Sequence, residues 1–132
     1  MELDLHEAAE KGDLKLIERL LRASTDPNIE DSSGFTALHY AVMSIHNRHC
    51  KRAVAELLIQ HGSEVNGKRR RGSTPLHFAI RSNNTEIAQL LLEKGASPNA
   101  RDSIGATPLH LASKDGKVVM VELLLRMQAD PD

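Results

Sequence analysis

The sequence predicts an all-α solenoid of four stacked helix pairs, because two landmarks recur along the whole chain. The strings Thr36–Ala41, Thr74–Ala79 and Thr107–Ala112 are near copies, and Leu5–Ala9 is a reduced version of them. The leucines of these strings stand at positions 5, 38, 76 and 109, so they are 33, 38 and 33 residues apart. A second landmark closes each unit, at positions 26–28, 64–66, 97–99 and 130–132. It begins 21 residues after the leucine in units one, three and four, and 26 residues after it in unit two. A fixed period of this length is the signature of a repeat architecture.

The repeats fill the chain, so we expect a single domain over residues 1–132. Its units are residues 1–30, 31–67, 68–100 and 101–132, with five extra residues in the second unit. Unit one has a polar outer covering that is typical of a terminal cap. Unit four keeps apolar residues such as Val118 and Val119 and has no polar closing helix. We therefore expect that further repeats follow Asp132.

Each unit reads as two antiparallel helices. Thr at the start of the motif can act as the helix N-cap, and Pro suits the first helical position. Ile87, Leu90 and Leu91 follow helical spacing on the second helix of unit three. Gly62 and Gly95 can adopt the left-handed conformation that ends a helix, whereas Ser24 and Gln128, at the same place in units one and four, would be strained by about 1 kcal/mol. One helix pair cannot bury both of its apolar sides, so the units must stack.

These residues resemble the ankyrin repeat, with its glycine turn, Thr-Pro-Leu-His motif, short helix and longer helix ending in Leu-Leu. The resemblance covers essentially the whole chain. Two departures are Ala37, which replaces the motif proline, and Arg69, which replaces the usual aspartate of the hairpin turn. The resemblance implies hairpin turns that project like fingers at Gly34, Gly72 and Gly105, and a concave face made of these turns and the first helices.

The resemblance also implies that this face binds a protein, as an interaction scaffold or adaptor. The expected partner is an acidic or phosphorylated peptide, or a helical segment, lying across units two to four. The positions that would contact it are those of the hairpin turns and of the exits of the first helices: Ser32, Ser33, Phe35, Met43, Lys68, Arg70, Arg71, Ser73, Arg81, Ser103, Ile104 and Lys114.

Composition limits the remaining classes. The chain is 40% hydrophobic and 27% charged, which is typical of a globular protein, and its few aromatic residues require an aliphatic core. A lone cysteine and an acidic amino terminus predict an intracellular protein, in the cytoplasm and also in the nucleus if the basic cluster directs import. We expect a monomer that does not contact membranes. The net charge of −1 hides unit charges of −4, 0, +4 and −1, which a partner can recognise.

Lys68–Arg71 is the densest basic cluster, and the register places it at the hairpin turn of unit three. Three interpretations stay open: a solvated turn, a contact for an acidic protein, or a nuclear-import or nucleic-acid patch. The last would make the chain a nucleic-acid-binding or nuclear-transport-linked regulator. Nucleic acid is disfavoured because no aromatic platform for bases lies beside the cluster and the net charge is near zero.

The seven histidines and the cysteine do not predict an enzyme, a metal site or a cofactor. Four of the histidines, His6, His39, His77 and His110, occupy the same step of the repeat, so we expect them to form structural hydrogen bonds. The cluster His46–Cys50 lies in the five-residue insertion, which we interpret as a solvated, extended turn. With Arg48, Lys51 and Arg52 nearby, the insertion is also a candidate second contact surface.

Asn66 stands eight residues after Leu58, with Glu64 and Val65 between them. This segment is similar to the one that an asparaginyl hydroxylase modifies in other ankyrin repeats. The similarity implies hydroxylation of Asn66 as a modification rather than as a function.

Overall fold

The structure, a computed structural model, describes residues 2–68 and 72–127, with side chains from residue 5 onward. The described residues form helices and turns and contain no β-strand. Short connections join the helices into four pairs, with these bounds: α1 Glu2–Lys11 with α2 Leu14–Arg22, α3 Ala37–Met43 with α4 Lys51–Gln60, α5 Pro75–Arg81 with α6 Thr85–Glu93, and α7 Pro108–Lys114 with α8 Val118–Arg126. The predicted all-α solenoid is confirmed.

The helices form two layers. The first helices of the pairs (α1, α3, α5 and α7) pack on one another in chain order, and the second helices (α2, α4, α6 and α8) do the same less extensively. The first-helix layer is therefore the more closely packed of the two. Leu38 and Leu76 are 0% exposed and Leu109 is 6% exposed, at matching places in successive units. The core is aliphatic, as the composition requires, and it is continuous from unit one to unit four.

The Thr-x-x-His step of the motif links each unit to the next. The backbone N–H of Thr36 donates to His39 Nδ1 at 3.1 Å, and His39 N–H donates to Thr36 Oγ1 at 3.5 Å. Because Nδ1 accepts from a backbone amide, the ring proton sits on Nε2, which donates to Ser73 O of unit three at 3.2 Å. His77 repeats this arrangement and donates to Ala106 O of unit four at 3.0 Å. The predicted helix-capping role of Thr and the structural role of the histidines are confirmed.

The terminal units use this step only in part. His6 donates to Ile29 O at 2.9 Å, but its Nδ1 has no partner among the described residues. His110 is exposed, and its Nε2 forms no hydrogen bond within the part of the chain that the structure describes. Val118 and Val119 are also exposed, at 65% and 67%.

The ends of the second helices follow the glycine pattern of the sequence. Gly62 and Gly95 have φ angles of 103° and 101°, in the region that favours glycine. Ser24 occupies the same place in unit one with a φ angle of 70°. Ser24 therefore adopts the left-handed conformation for which we predict a strain of about 1 kcal/mol. Gln128 lies outside the described residues.

The insertion differs from the solvated turn that we predicted, because its middle residue is buried. Asn47 is 1% exposed, and its Nδ2 donates to Ala9 O at 3.0 Å and to Ala41 O at 2.8 Å. The Cys50 thiol donates to Gly12 O at 3.4 Å. The extra residues let the chain return to the backbone of unit one and satisfy carbonyl groups there. The insertion attaches unit two to unit one.

Lys51, which we placed in a candidate second contact surface, serves the backbone instead. Its Nζ donates to the carbonyl oxygens of Ala41, Val42 and Ser44 at 2.9, 2.8 and 2.5 Å, at the carboxyl end of α3. A cation at this end of a helix also interacts favourably with the helix dipole. Burial lowers the pKa of Lys51 below its ordinary value. Arg48 and Arg52 remain exposed beside it.

We predict that Asn47→Ala lowers the free energy of unfolding by about 1–3 kcal/mol, because Ala9 O loses its side-chain donor and Ala41 O keeps only Lys51 of its two donors. Urea denaturation of the purified chain measures this loss. The matched control is His46→Ala, an exposed neighbour in the same insertion, which should change the stability by less than about 0.5 kcal/mol. Equal stabilities for the two variants would show that the Asn47 contacts do not stabilise the packing of unit two on unit one.

Candidate protein-binding face

The fingers are the turns that precede the first helices, Asp31–Phe35 in unit two and Asp102–Ala106 in unit four. In both, the first residue pairs with the last, at 3.0 Å between Asp31 N and Phe35 O and 3.0 Å between Asp102 N and Ala106 O. The aspartate Oδ1 atoms accept two further backbone N–H groups in each finger at 2.9 to 3.0 Å. The two fingers thus have one geometry, fixed by their aspartates. We call the surface made by the fingers and the first helices the inner face.

The finger of unit three lacks this aspartate, because Arg69 occupies the position. Arginine has no acceptor atom, so it cannot receive the two backbone N–H groups as Asp31 and Asp102 do. At the base of this finger, Gly72 has a φ angle of 79°, and a Cβ built on it would lie 3.1 Å from Ser103 N. Glycine at position 72 therefore permits close approach of the backbone to finger four.

An aromatic strip crosses the inner face between units two and three. It consists of Phe35, Tyr40 and Phe78, whose side chains are all half-buried. The ring centroids are 5.5 Å apart between Phe35 and Tyr40, and 6.0 Å apart between Phe35 and Phe78. His39 packs edge-on against Phe35 and Phe78 from below, at 5.9 and 5.8 Å. These separations and tilted planes are those of favourable aromatic contacts.

Arg81 forms the basic edge of the aromatic strip. Its guanidinium lies 5.6 Å from the ring centroid of Phe78, within cation–π range, and Nη2 lies 3.4 Å from Asp102 Oδ2 of finger four. Nη1 donates to Ser73 Oγ at 3.5 Å. The Arg81 side chain is nevertheless 42% exposed, whereas that of Asp102 is 4% exposed. Arg81 is thus held in place while its side chain stays partly exposed, and Lys114 is exposed on the following unit.

Tyr40 and Asp31 form the opposite, acidic edge. The Tyr40 hydroxyl donates to Asp31 Oδ2. This hydrogen bond, burial and the negative charges of Asp31 and Glu10 raise the pKa of Tyr40 to about 12. Burial of Asp31 opposes its ionisation, but hydrogen bonds from Tyr40 and from two finger N–H groups, together with His6, lower the pKa of Asp31 below its ordinary value. The carboxylate therefore stays charged and the phenol neutral around pH 7.

Most of the residues that the sequence places at the partner surface lie on this face. The exposed ones are Ser32, Ser33, Lys68, Arg81, Ser103, Ile104 and Lys114. Phe35 and Met43 are half-buried there. Ser73 is 4% exposed, covered by its neighbours, so its hydroxyl positions Arg81 rather than facing a partner. Arg70 and Arg71 lie outside the described residues.

The sequence reading missed Tyr40, Phe78, Asp31 and Asp102 as members of the face. A signal was present in the sequence, since Phe35, Tyr40 and Phe78 are all of its aromatic residues and each stands within four residues of a repeat histidine. The pairing of Arg81 with Asp102 had no comparable signal, because it spans two units.

An open depression of about 550 Å³ beside the insertion is lined by His49, Cys50, Glu56 and Glu86, among others. These are the residue types of a nucleophile with its base, but the geometry differs. The Cys50 thiol donates to Gly12 O, and no hydrogen bond joins it to His49 among the described residues. Arg52 Nε lies 3.5 Å from Glu56 Oε1. The depression therefore does not assemble a catalytic pair.

Within residues 2–68 and 72–127, no group of three or more His, Cys, Asp and Glu side chains is arranged to hold a metal ion. None of the helices in this part of the chain has the length and apolar character to cross a membrane. Asn66 is exposed, but its side chain is bonded at both ends, from Nδ2 to Gly95 O at 3.0 Å and from Ser97 N to Oδ1 at 2.7 Å. Hydroxylation of Asn66 stays a prediction.

The stacked helix pairs and the finger-lined inner face define a helical-repeat protein of the solenoid class. Comparison with known families identifies it further: the model described as ankyrin repeats (3 copies) matches residues 5–102 and 51–132. The chain belongs to the ankyrin-repeat family. Ankyrin repeats generally mediate protein–protein interactions.

Individual relatives match parts of the chain. It is 33% identical to the RelA-associated inhibitor of Mus musculus over 83 residues, which are 63% of this chain and 10% of that protein. It is 38% identical over 61 residues to the human ankyrin repeat domain-containing protein 39, covering 46% of this chain and 31% of that protein. It is 35% identical over 76 residues to the 2-5A-dependent ribonuclease of Mus musculus, covering 57% of this chain and 10% of that protein. The chain spans less than a third of the length of each of these relatives.

We predict that Tyr40, the single tyrosine, ionises with a midpoint about two units above the ordinary value near 10. Because its pKa is raised in the folded state, its contribution to stability is present below pH 10 and is lost as the pH rises through about 12. The tyrosinate absorbance of the folded chain, followed against pH, measures this midpoint.

Asp31→Asn is the matched variant, because an amide oxygen can still accept the finger N–H groups but carries no charge. Its tyrosine midpoint should move back toward 10. A midpoint near 10 in the unsubstituted chain would show that the Tyr40–Asp31 contact does not persist in solution.

Proposed function

We propose that the chain is a protein-binding module whose inner face holds an acidic or phosphorylated segment of another protein across units two to four. The observation that carries this proposal is Arg81, which is fixed by Phe78 and Asp102 yet 42% exposed. A guanidinium held in this way loses little further freedom when it binds, so its interaction with a carboxylate or phosphate is favoured.

The charges around Arg81 support the same class of partner. Lys68 and Lys114 are exposed on the neighbouring parts of the inner face, and Arg70 and Arg71 follow Lys68 in the sequence. Unit three carries six basic and two acidic residues, a net charge of +4. Positive charge of this density accelerates and strengthens the binding of an anionic segment.

The described residues do not favour an enzyme or a nucleic-acid-binding protein over this proposal. In the depression beside the insertion, no hydrogen bond pairs the Cys50 thiol with His49 among the described residues. We propose no enzymatic activity for the chain. The aromatic strip is half-buried and tilted between the units, so it does not present open ring faces on which bases could stack. An affinity for duplex nucleic acid that falls steeply with salt concentration would instead favour the alternative function, a nucleic-acid-binding regulator that uses the Lys68–Arg71 cluster.

We predict that Arg70→Glu combined with Arg71→Glu weakens binding to acidic and phosphoserine-containing peptides at least about tenfold, since two attractive contacts become repulsive. The unsubstituted chain would be used to select such peptides from a display library, and their affinities would then be compared by calorimetry. Thermal unfolding should change little, because the register of the repeat predicts a hairpin turn at these positions.

The matched control is Lys15→Glu combined with Arg19→Glu, which makes the same charge change on exposed positions of α2, in the second-helix layer. Its affinities should stay close to those of the unsubstituted chain. Equal loss in both double variants would mean that only the overall charge matters. No loss in either would remove the basic residues of unit three from the binding surface.

A further inference from the structure

The placement of the aromatic residues is not required by the fold. The chain has only three of them, and all three lie in the aromatic strip rather than in the aliphatic core. At the position of Phe35, units three and four have Ser73 and Ala106, so the repeat accepts small residues there. Stacking alone therefore does not explain why an aromatic ring is half-exposed on finger two. Aromatic side chains on a surface of this kind are typical of interface anchors.

The two edges of the strip differ in charge. On the side of units three and four, the Arg81 guanidinium covers the edge of Phe78 and Lys114 lies beyond it. On the side of unit one, the Tyr40 hydroxyl is bound to the Asp31 carboxylate, close enough to Glu10 for that charge to raise the pKa of Tyr40. The apolar surface thus lies between a cationic and an anionic border.

We propose that the aromatic strip anchors one large apolar side chain of the partner segment, and that the acidic residues of that segment lie on the unit-four side of the anchor. This inference rests on the proposed function and specifies its partner: a segment in which an aromatic or long aliphatic residue stands next to a run of carboxylates or a phosphate.

Charge complementarity sets the direction of the segment. Carboxylates placed toward Arg81 and Lys114 meet positive charge, whereas carboxylates placed toward Asp31 and Glu10 meet like charge. The apolar residue between them covers ring surface that is already ordered, so its burial requires little rearrangement of the face. Ile104, 85% exposed on finger four, offers a second apolar contact beyond the basic edge.

The repeat itself supplies a variant that should keep the fold. Phe35→Ala and Phe78→Leu install the residues that unit four has at these positions, Ala106 and Leu111. Phe78→Leu alone serves as a second, milder variant if the double variant melts at a lower temperature. Both leave Arg81 and the finger aspartates Asp31 and Asp102 unchanged. Thermal unfolding verifies the fold before binding is measured.

The probes are two synthetic peptides of equal length, each with a block of glutamates next to a single test position that holds either Phe or Ala. Titration by fluorescence anisotropy gives the affinities for the unsubstituted chain, for both aromatic variants and for Arg81→Glu. We expect the Phe peptide to bind at least about tenfold more tightly than the Ala peptide, because an aromatic ring is buried. This advantage should disappear in the aromatic variants.

The outcomes separate the inference from the function on which it rests. If both peptides bind equally and both are weakened by Arg81→Glu, the acidic-segment function holds and the anchor is overturned. If the Phe peptide keeps its advantage but Arg81→Glu has no effect, the anchor holds and the basic edge is overturned. Failure of both peptides to bind overturns both statements.

The direction is tested with a nitroxide label at the acidic end of the Phe peptide. In spectra of the isotope-labelled chain, we expect the label to broaden amide signals of α7 more than those of α1. Stronger broadening in α1 would reverse the proposed direction and so overturn it.

Discussion

The hydrogen bond from a histidine Nε2 to a backbone carbonyl of the next unit is the interaction on which the stack depends. In His77 a backbone amide N–H donates to Nδ1, so the ring proton lies on Nε2. Burial lowers the pKa of His77, so the ring stays neutral. The donor then meets Ala106 O, just before the next Thr-x-x-His step. In units two and three the motif therefore fixes both the start of its own helix and the position of the chain just before the next motif. This repeated contact spaces the first helices of units two to four.

The parts of the fold that the sequence predicted are those encoded within a few residues. Thr74 and His77 stand three residues apart and form their capping contacts inside a single turn, so the repeated strings suffice to place the helices. The prediction of a solvated turn for the insertion was wrong because the conformation of the insertion depends on contacts with residues far away in the sequence. Nothing near Asn47 in the sequence indicates that its amide would reach Ala9 O, 38 residues earlier, and an isolated polar stretch with two histidines and an arginine reads as solvated.

The inner face shows the same difference between features that follow from repeat register and features that depend on contacts between side chains. Register alone located Ser103, Ile104 and Lys114 at exposed positions, because each follows from the place of a residue within the repeat. Register also placed Ser73 at the surface, but whether such a position is covered depends on the side chains of neighbouring units. The pairing of Asp31 with Tyr40, nine residues apart, and that of Arg81 with Asp102, in the next unit, became visible only in the structure.

Comparison of equivalent positions separates what maintains the stack from what distinguishes this face. Residues that stay the same from unit to unit, such as the Leu-His step, serve contacts that every unit must make. Residues that change at a constant register position are free of that requirement. Phe35 against Ser73 and Ala106 is a change of this kind, and so is Arg69 at the register position of the finger residues Asp31 and Asp102. Since the repeat tolerates all of these residues, recognition can vary along the inner face while the hydrogen bonds between units remain unchanged.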